Sequence, residues 1–158
     1  EMCIRDSNKA SDNRYFDMFT VLDSGGAEVV DLGARRSILK RVKETLADPE
    51  PSTSDTGLHV SRRLKELKIP ASVTLIAEPH DHTAMLNITA SDRPGFLANI
   101  ALVLVEMGLE IMSARITTLG ERVEDVFVVA SKNGESLHSG QKCYEIEQAI
   151  RQRLDQAI

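Results

Sequence analysis

A chain of 158 residues with 42% apolar content has room for one or two small domains, each with a core of its own. Its 19 basic against 24 acidic residues, formal charge of -5 and 4% aromatics argue against nucleic-acid binding, which relies on basic surfaces and stacking rings. No apolar run approaches the roughly 18 residues of a bilayer span and no basic-then-apolar signal opens the chain, so a cytoplasmic address is expected.

In chain order, residues 1 to 7, EMCIRDS, match no periodic template. They read as translated sequencing-adaptor sequence, outside the fold, with Asn8 near the first native residue. Residues 8 to 48 carry a strand, a glycine-containing loop and an amphipathic helix, and 49 to 70 read as a linker. The linker's first part, within ADPEPSTSDTG, is rich in turn-forming and polar residues. The basic stretch 58 to 67 is expected to make one or two helical turns before Pro70.

A complete domain is expected over 71 to 158. Residues 71 to 78, containing Val73-Thr74-Leu75-Ile76, form a strand candidate, and 85 to 90 alternate Leu86, Ile88 and Ala90 against Asn87 and Thr89. With the turn-like Pro79-His80-Asp81-His82 between them, the two predict a hairpin. Pro94 suits the first turn of a helix, for which Leu97, Ile100, Ala101, Leu104 and Met107 are the expected buried stripe, and Gly108 the left-handed stop. A strand over 110 to 118, a turn at 119 to 121 and a strand over 123 to 130 follow. The last helix is expected from about Ser139, a plausible N-cap.

Residues 14 to 46 align with 122 to 154 without a gap, at a fixed offset of 108: Arg14 falls on Arg122, Asp17 on Asp125, Phe19 on Phe127, Gly26 on Gly134, Ile38 on Ile146 and Leu46 on Leu154. Both copies read as strand, glycine loop and helix, so one supersecondary unit occurs twice. Only the second is preceded by a hairpin, a helix and another strand. A strand and a helix cannot bury their apolar faces alone, so the first copy reads as the remnant of a domain and the second as whole. The order strand, strand, helix, strand, strand, helix gives an α+β, ferredoxin-like fold: a four-stranded antiparallel sheet with both helices on one face. The final strand usual to that fold is missing, and 71 to 78 is expected to take its edge.

The start of the first helix also invites a ligand. Unpaired N–H groups and about half a positive charge there suit a carboxylate. Gly95 lets a ligand approach the backbone, and Asp92 suits an α-amino group. The same residues also fit a helix start with no guest, Asp92 favouring the dipole and Arg93 solvated. Elsewhere, Glu78-Pro79-His80-Asp81-His82 reads as a polar turn and not as a metal site. Cys3 and Cys143 make neither a disulfide framework nor a metal knuckle. No HExxH, G-x-S-x-G or phosphate loop occurs, and there is no nucleotidyltransferase or His-Asp phosphohydrolase set. Arg115 is expected opposite Glu124 or Asp125 across the 119 to 121 turn, and the recurrence of Asp125 as Asp17 favours a structural role for that carboxylate.

Two stretches carry a family resemblance: Ser91-Asp92-Arg93-Pro94-Gly95-Phe96-Leu97, and Ser113-Ala114-Arg115-Ile116-Thr117-Thr118-Leu119-Gly120-Glu121-Arg122-Val123-Glu124-Asp125-Val126-Phe127. They resemble the ACT domain, an amino-acid-sensing module, and in detail the second of the tandem ACT domains that end bacterial PII uridylyltransferases. The resemblance implies glutamine as ligand, held between ACT domains by Asp92, Arg93, Pro94, Gly95, Phe96, Leu97, Ser113, Ala114 and Arg115. It further implies a parent enzyme that uses Mg and UTP and acts on the PII protein, with no cofactor, metal or catalytic residue in this stretch. ACT domains usually associate through an edge strand and first helix, here 110 to 118, an edge the remnant copy is expected to leave bare. The alternatives are a free-standing tandem ACT protein, an ACT module of another amino-acid enzyme, or a small ferredoxin-like enzyme such as an acyl phosphatase, for which Arg93 and Asn87 are poor candidates.

Overall fold

The computed structural model describes residues 2–23, 25–48, 69–78, 82–93 and 95–156, the backbone alone at 2–5 and 156. The expected linker helix over 58 to 67 and the hairpin tip at 79 to 81 lie outside these residues. Strands β1 (Met2–Lys9) and β2 (Tyr15–Val21) precede helix α1 (Leu32–Ala47). Strands β3 (Ser72–Ala77) and β4 (Thr83–Ser91), helix α2 (Phe96–Glu106), strands β5 (Leu109–Arg115), β6 (Thr118–Leu119) and β7 (Arg122–Ser131), and helix α3 (Gly140–Gln156) follow. All the strands join one seven-stranded sheet in the order β2-β1-β5-β7-β4-β3, with β6 pairing to β7.

The expected hairpin is present, Val73 opposite Ile88 and Leu75 opposite Leu86, and β3 takes the edge that the fold's absent last strand leaves. β4 and β7 pair antiparallel from Thr83↔Ala130 to Ser91↔Arg122. Their burial alternates with period two, placing Ala84, Leu86, Ile88 and Ala90 on the same side as Val123, Phe127 and Val129. That side is closed by α2 through Phe96, Ile100, Val103 and Leu104, and by α3 through Ile146, Ile150 and Leu154. The ferredoxin-like α+β fold is thus in place, with one core between sheet and helices.

Three local expectations are corrected. The buried stripe of α2 is Phe96, Ile100, Val103 and Leu104; Leu97 and Met107 only flank the core, and Ala101 is exposed. Nearly every residue from 96 to 105 is apolar, so the pattern does not choose a face, and the helix settles about one residue earlier than its leucine spacing suggests. Arg115 lies opposite Val126, not Glu124 or Asp125. Leu119 pairs with Arg122, leaving a two-residue turn with Gly120 at a φ of 63°, and the tighter turn shifts the register by one. Arg122 takes the ion pair instead, 2.8 Å from Glu124.

The third correction concerns the edge of β5, which was expected to be bare. The stretch set outside the fold contributes to β1, which pairs with β2 and, through Asp6, Ser7 and Asn8, with Arg115, Ala114 and Ser113 of β5. Lys9 adds an ion pair to Glu110 at 2.7 Å. The edge of β5 is therefore partly covered and not bare.

The two repeat copies share local geometry and differ in burial. α1 and α3 begin at Leu32 and Gly140, 108 residues apart, and the loop glycines Gly26 and Gly134 both hold a positive φ, 78° and 70°. In α3, Ile146, Ile150 and Leu154 are at most 2% exposed, whereas α1 has no buried residue and Leu46 is 76% exposed. The same repeat makes both helices; among the described residues α3 packs on β3 and α2, whereas α1 buries no side chain.

Candidate functional site

The turn between β4 and α2 is tied to two other parts of the domain and closed by one bond of its own. The Asp92 amide donates to the Glu121 carbonyl at 2.8 Å, which ties the loop to the β6–β7 turn. The Arg93 guanidinium donates to the Leu154 carbonyl near the end of α3, and burial pulls its pKa down, with Asp155 acting in the opposite direction. Arg93 is therefore not solvated: it holds the loop onto the second helix and satisfies a carbonyl of its last turn. Phe96 donates its amide to the Arg93 carbonyl at 3.1 Å.

Gly95 is the N-cap of α2 and lies in the left-handed region, φ 77° and ψ 5°. A side chain there would be strained by the backbone angle alone. Its carbonyl accepts from both the amide and the side-chain Nδ2 of Asn99, each at 3.0 Å. As a glycine, Gly95 has no side chain with which to cap the first turn of α2. A helix start carries unpaired amides and a partial positive charge, which favour a nearby carboxylate.

Of the nine expected ligand residues, the fold brings Asp92, Arg93 and Gly95 together at this turn; Pro94 lies outside the described residues. Phe96 is 3% exposed and belongs to the core. Leu97 and Ala114 line a cavity of about 170 Å³ against β1 and β2, with Ser7, Asp17, Phe19 and Ile111 among its other walls. Ala114 is buried toward the helices, so strand alternation turns Ser113 and Arg115 to the opposite face of β5. The geometry thus divides the set among the turn, the core, an apolar cavity and the opposite face of β5.

Asp125 is the group the sequence undervalued. It is 1% exposed on the helix-covered face of β7, amid the apolar alternation of that strand. Its Oδ1 accepts from the Thr117 amide at 3.2 Å, and its Oδ2 is buried with no hydrogen-bond partner among the described residues. Burial pushes its pKa up to about 6; the Thr117 hydrogen bond opposes this, and the nearby Asp92 charge adds to it. The signal for it in the sequence was parity, because Val123, Asp125, Phe127 and Val129 share one face. Among the described residues no cluster of His, Cys, Asp or Glu could hold a metal ion.

A ferredoxin-like domain with a glycine-opened helix after its second strand defines a class. Residues 76–158 match the family model described as "Plant bHLH transcription factor, ACT-like domain", and the chain belongs to the ACT-like domain family. Its relatives include the bifunctional uridylyltransferase/uridylyl-removing enzyme of Pseudomonas putida (strain W619), 37% identical over 87% of this chain and 15% of that protein. The enzyme of the same name in Pseudomonas entomophila (strain L48) is 36% identical over 87% and 15%, and that of Ectopseudomonas mendocina (strain ymp) 35% over 89% and 16%. The chain is an ACT region homologous to part of these bifunctional enzymes and spans about 15% of their length. No solved structure matches it significantly.

Proposed function

We propose that this chain is the glutamine-sensing region of a bifunctional PII uridylyltransferase/uridylyl-removing enzyme that controls nitrogen metabolism in the cytoplasm. Residues 71 to 158 are its second ACT domain, and residues 8 to 48 the end of the first, joined by the segment 49 to 70. The chemistry belongs to the parent's other domains, which use Mg and UTP and act on the PII protein. This region contributes binding. Glutamine that favours one arrangement of the ACT domains relative to the catalytic domains shifts the parent between its two activities by the difference in affinity.

One observation carries the reading: α2 opens at Gly95 with a positive φ, with Asp92 three residues before it. A zwitterion needs an anion seat and a cation seat a few ångströms apart, and that turn has the elements of both. Calorimetric titration with glutamine, on this chain and on one extended upstream to a complete first ACT domain, is expected to show saturable heat. A flat trace from both removes the assignment.

A further inference from the structure

We infer that the outer edge of β3 is a strand-pairing surface complementary to itself, and that Glu147 and Arg151 of α3 hold it closed. Freed of those two side chains, the edge pairs with β3 of a second copy of this chain.

The sheet ends at β2 and β3, and among the described residues no strand pairs with β3 on the side away from β4. An edge strand directs the N–H and C=O of every second residue outward, where another chain can pair with them. Edges are usually protected by charged residues, proline or a bulge in the strand itself. β3, SVTLIA, has no charge and no proline, and its register with β4 runs without a shift.

The protection comes from α3 instead. The Leu75 amide donates to Glu147 Oε1 at 2.8 Å, and the Val73 carbonyl accepts from Arg151 Nη2 at 2.6 Å. Each side chain suits its target, since an ionised carboxylate only accepts and a guanidinium only donates. The spacing suits them too: residues four apart on a helix are about 6 Å apart along its axis, and residues two apart on a strand about 6.7 Å. Glu147 and Arg151 lie 3.6 Å from one another, so each helps to hold the other in place. The clamp is not a product of the repeat, because the equivalent positions of α1 are Leu39 and Lys43.

The groups that the clamp occupies are those that a second β3 needs. In an antiparallel pair about a two-fold axis at Thr74, Val73 of one copy faces Leu75 of the other, and the Leu75 amide donates to the Val73 carbonyl. With that donor and that acceptor taken by α3, association of this chain is left to its other surfaces.

A cysteine on the axis tests this. Residue 74 faces itself at a site without mutual hydrogen bonds, where Cα atoms are about 4.5 Å apart and within disulfide reach. Thr74→Cys is introduced into the chain alone and together with Glu147→Ala and Arg151→Ala, and disulfide-linked peptides are followed by mass spectrometry under mild oxidation. The clamp-free chain is expected to link two copies at position 74 at least tenfold faster than the clamped one, and to sediment as a dimer. Equal rates, or a dimer without that link, overturn the inference. Hydrogen exchange of the wild-type chain tests the clamp even if the clamp-free variant misfolds: the Leu75 amide is expected to exchange at least tenfold more slowly than an unpaired amide. Exchange at the unpaired rate overturns the inference as well.

Discussion

Leu154→Ala is expected to destabilise the protein by about 3 kcal/mol, whereas Leu46→Ala, the same change 108 residues earlier in the repeat, is expected to cost under about 0.5 kcal/mol. Leu154 is 2% exposed in the core beneath α3, and Leu46 is 76% exposed on α1. Removing a buried leucine loses its transfer free energy and leaves a cavity that the sheet and α2 cannot fill by collapse; removing an exposed one loses neither. Urea denaturation followed by far-ultraviolet circular dichroism measures both. Equal losses would show that α1 is packed as α3 is, contrary to the exposure along its length. The contrast compares equivalent leucines of the two repeat copies, one with a partner surface and one without.

Asp125→Asn is expected to stabilise the protein by about 2 kcal/mol at pH 7.5, in the absence of amino acids. The carboxyl titrates at about 6 in the folded chain against an ordinary 3.8, principally because it is buried. Below about pH 4 it is protonated whether the chain is folded or not and contributes no pH dependence. Between pH 4 and 6 the unfolded chain has lost the proton that the folded chain keeps, so this group makes stability fall as pH rises. Above about pH 6 the full cost of burying the charge is present. An asparagine preserves the acceptor for the Thr117 amide and removes the charge, so its advantage should be largest at pH 7 to 8 and vanish near pH 4. Denaturant midpoints across that range measure the difference; a variant no more stable than wild type at pH 7.5 contradicts the burial argument.

Much of the fold was readable where local chemistry and tertiary packing agree. The alternation Leu86, Ile88, Ala90 and the turn residues before it specify the β3–β4 hairpin, and Gly108, at a φ of 68°, ends α2 because few other residues adopt that angle at low cost. The repeat aligned two helices whose starts then fell 108 residues apart. Legibility failed where the pattern was degenerate. α2 is apolar nearly all round, and its buried face is chosen by the sheet it meets. The β6–β7 turn spans two residues where three were expected, and a shift of one moves every cross-strand partner of Arg115. β1 has no clear alternation; it is held by backbone pairing to β2 and β5, which composition does not reveal.

The site was legible in part for the same reason. A helix start is a local feature, and Asp92, Arg93 and Gly95 mark it directly. What those side chains do is decided by distant residues. Arg93 reaches the carbonyl of Leu154, 61 positions along the chain, and Asp125 owes its burial to the faces of α2 and β4. Period-two alternation also separates Ala114 from Ser113 and Arg115, which the motif alone presents as neighbours.

The proposed glutamine site is at the start of α2, and amide chemical shifts report on it directly. Glutamine titrated into the 15N-labelled chain is predicted to move the Asp92, Gly95, Phe96 and Leu97 amides most. Shifts confined to α1 or to the cavity against β1 and β2, with the 92 to 97 amides unmoved at saturation, would contradict it.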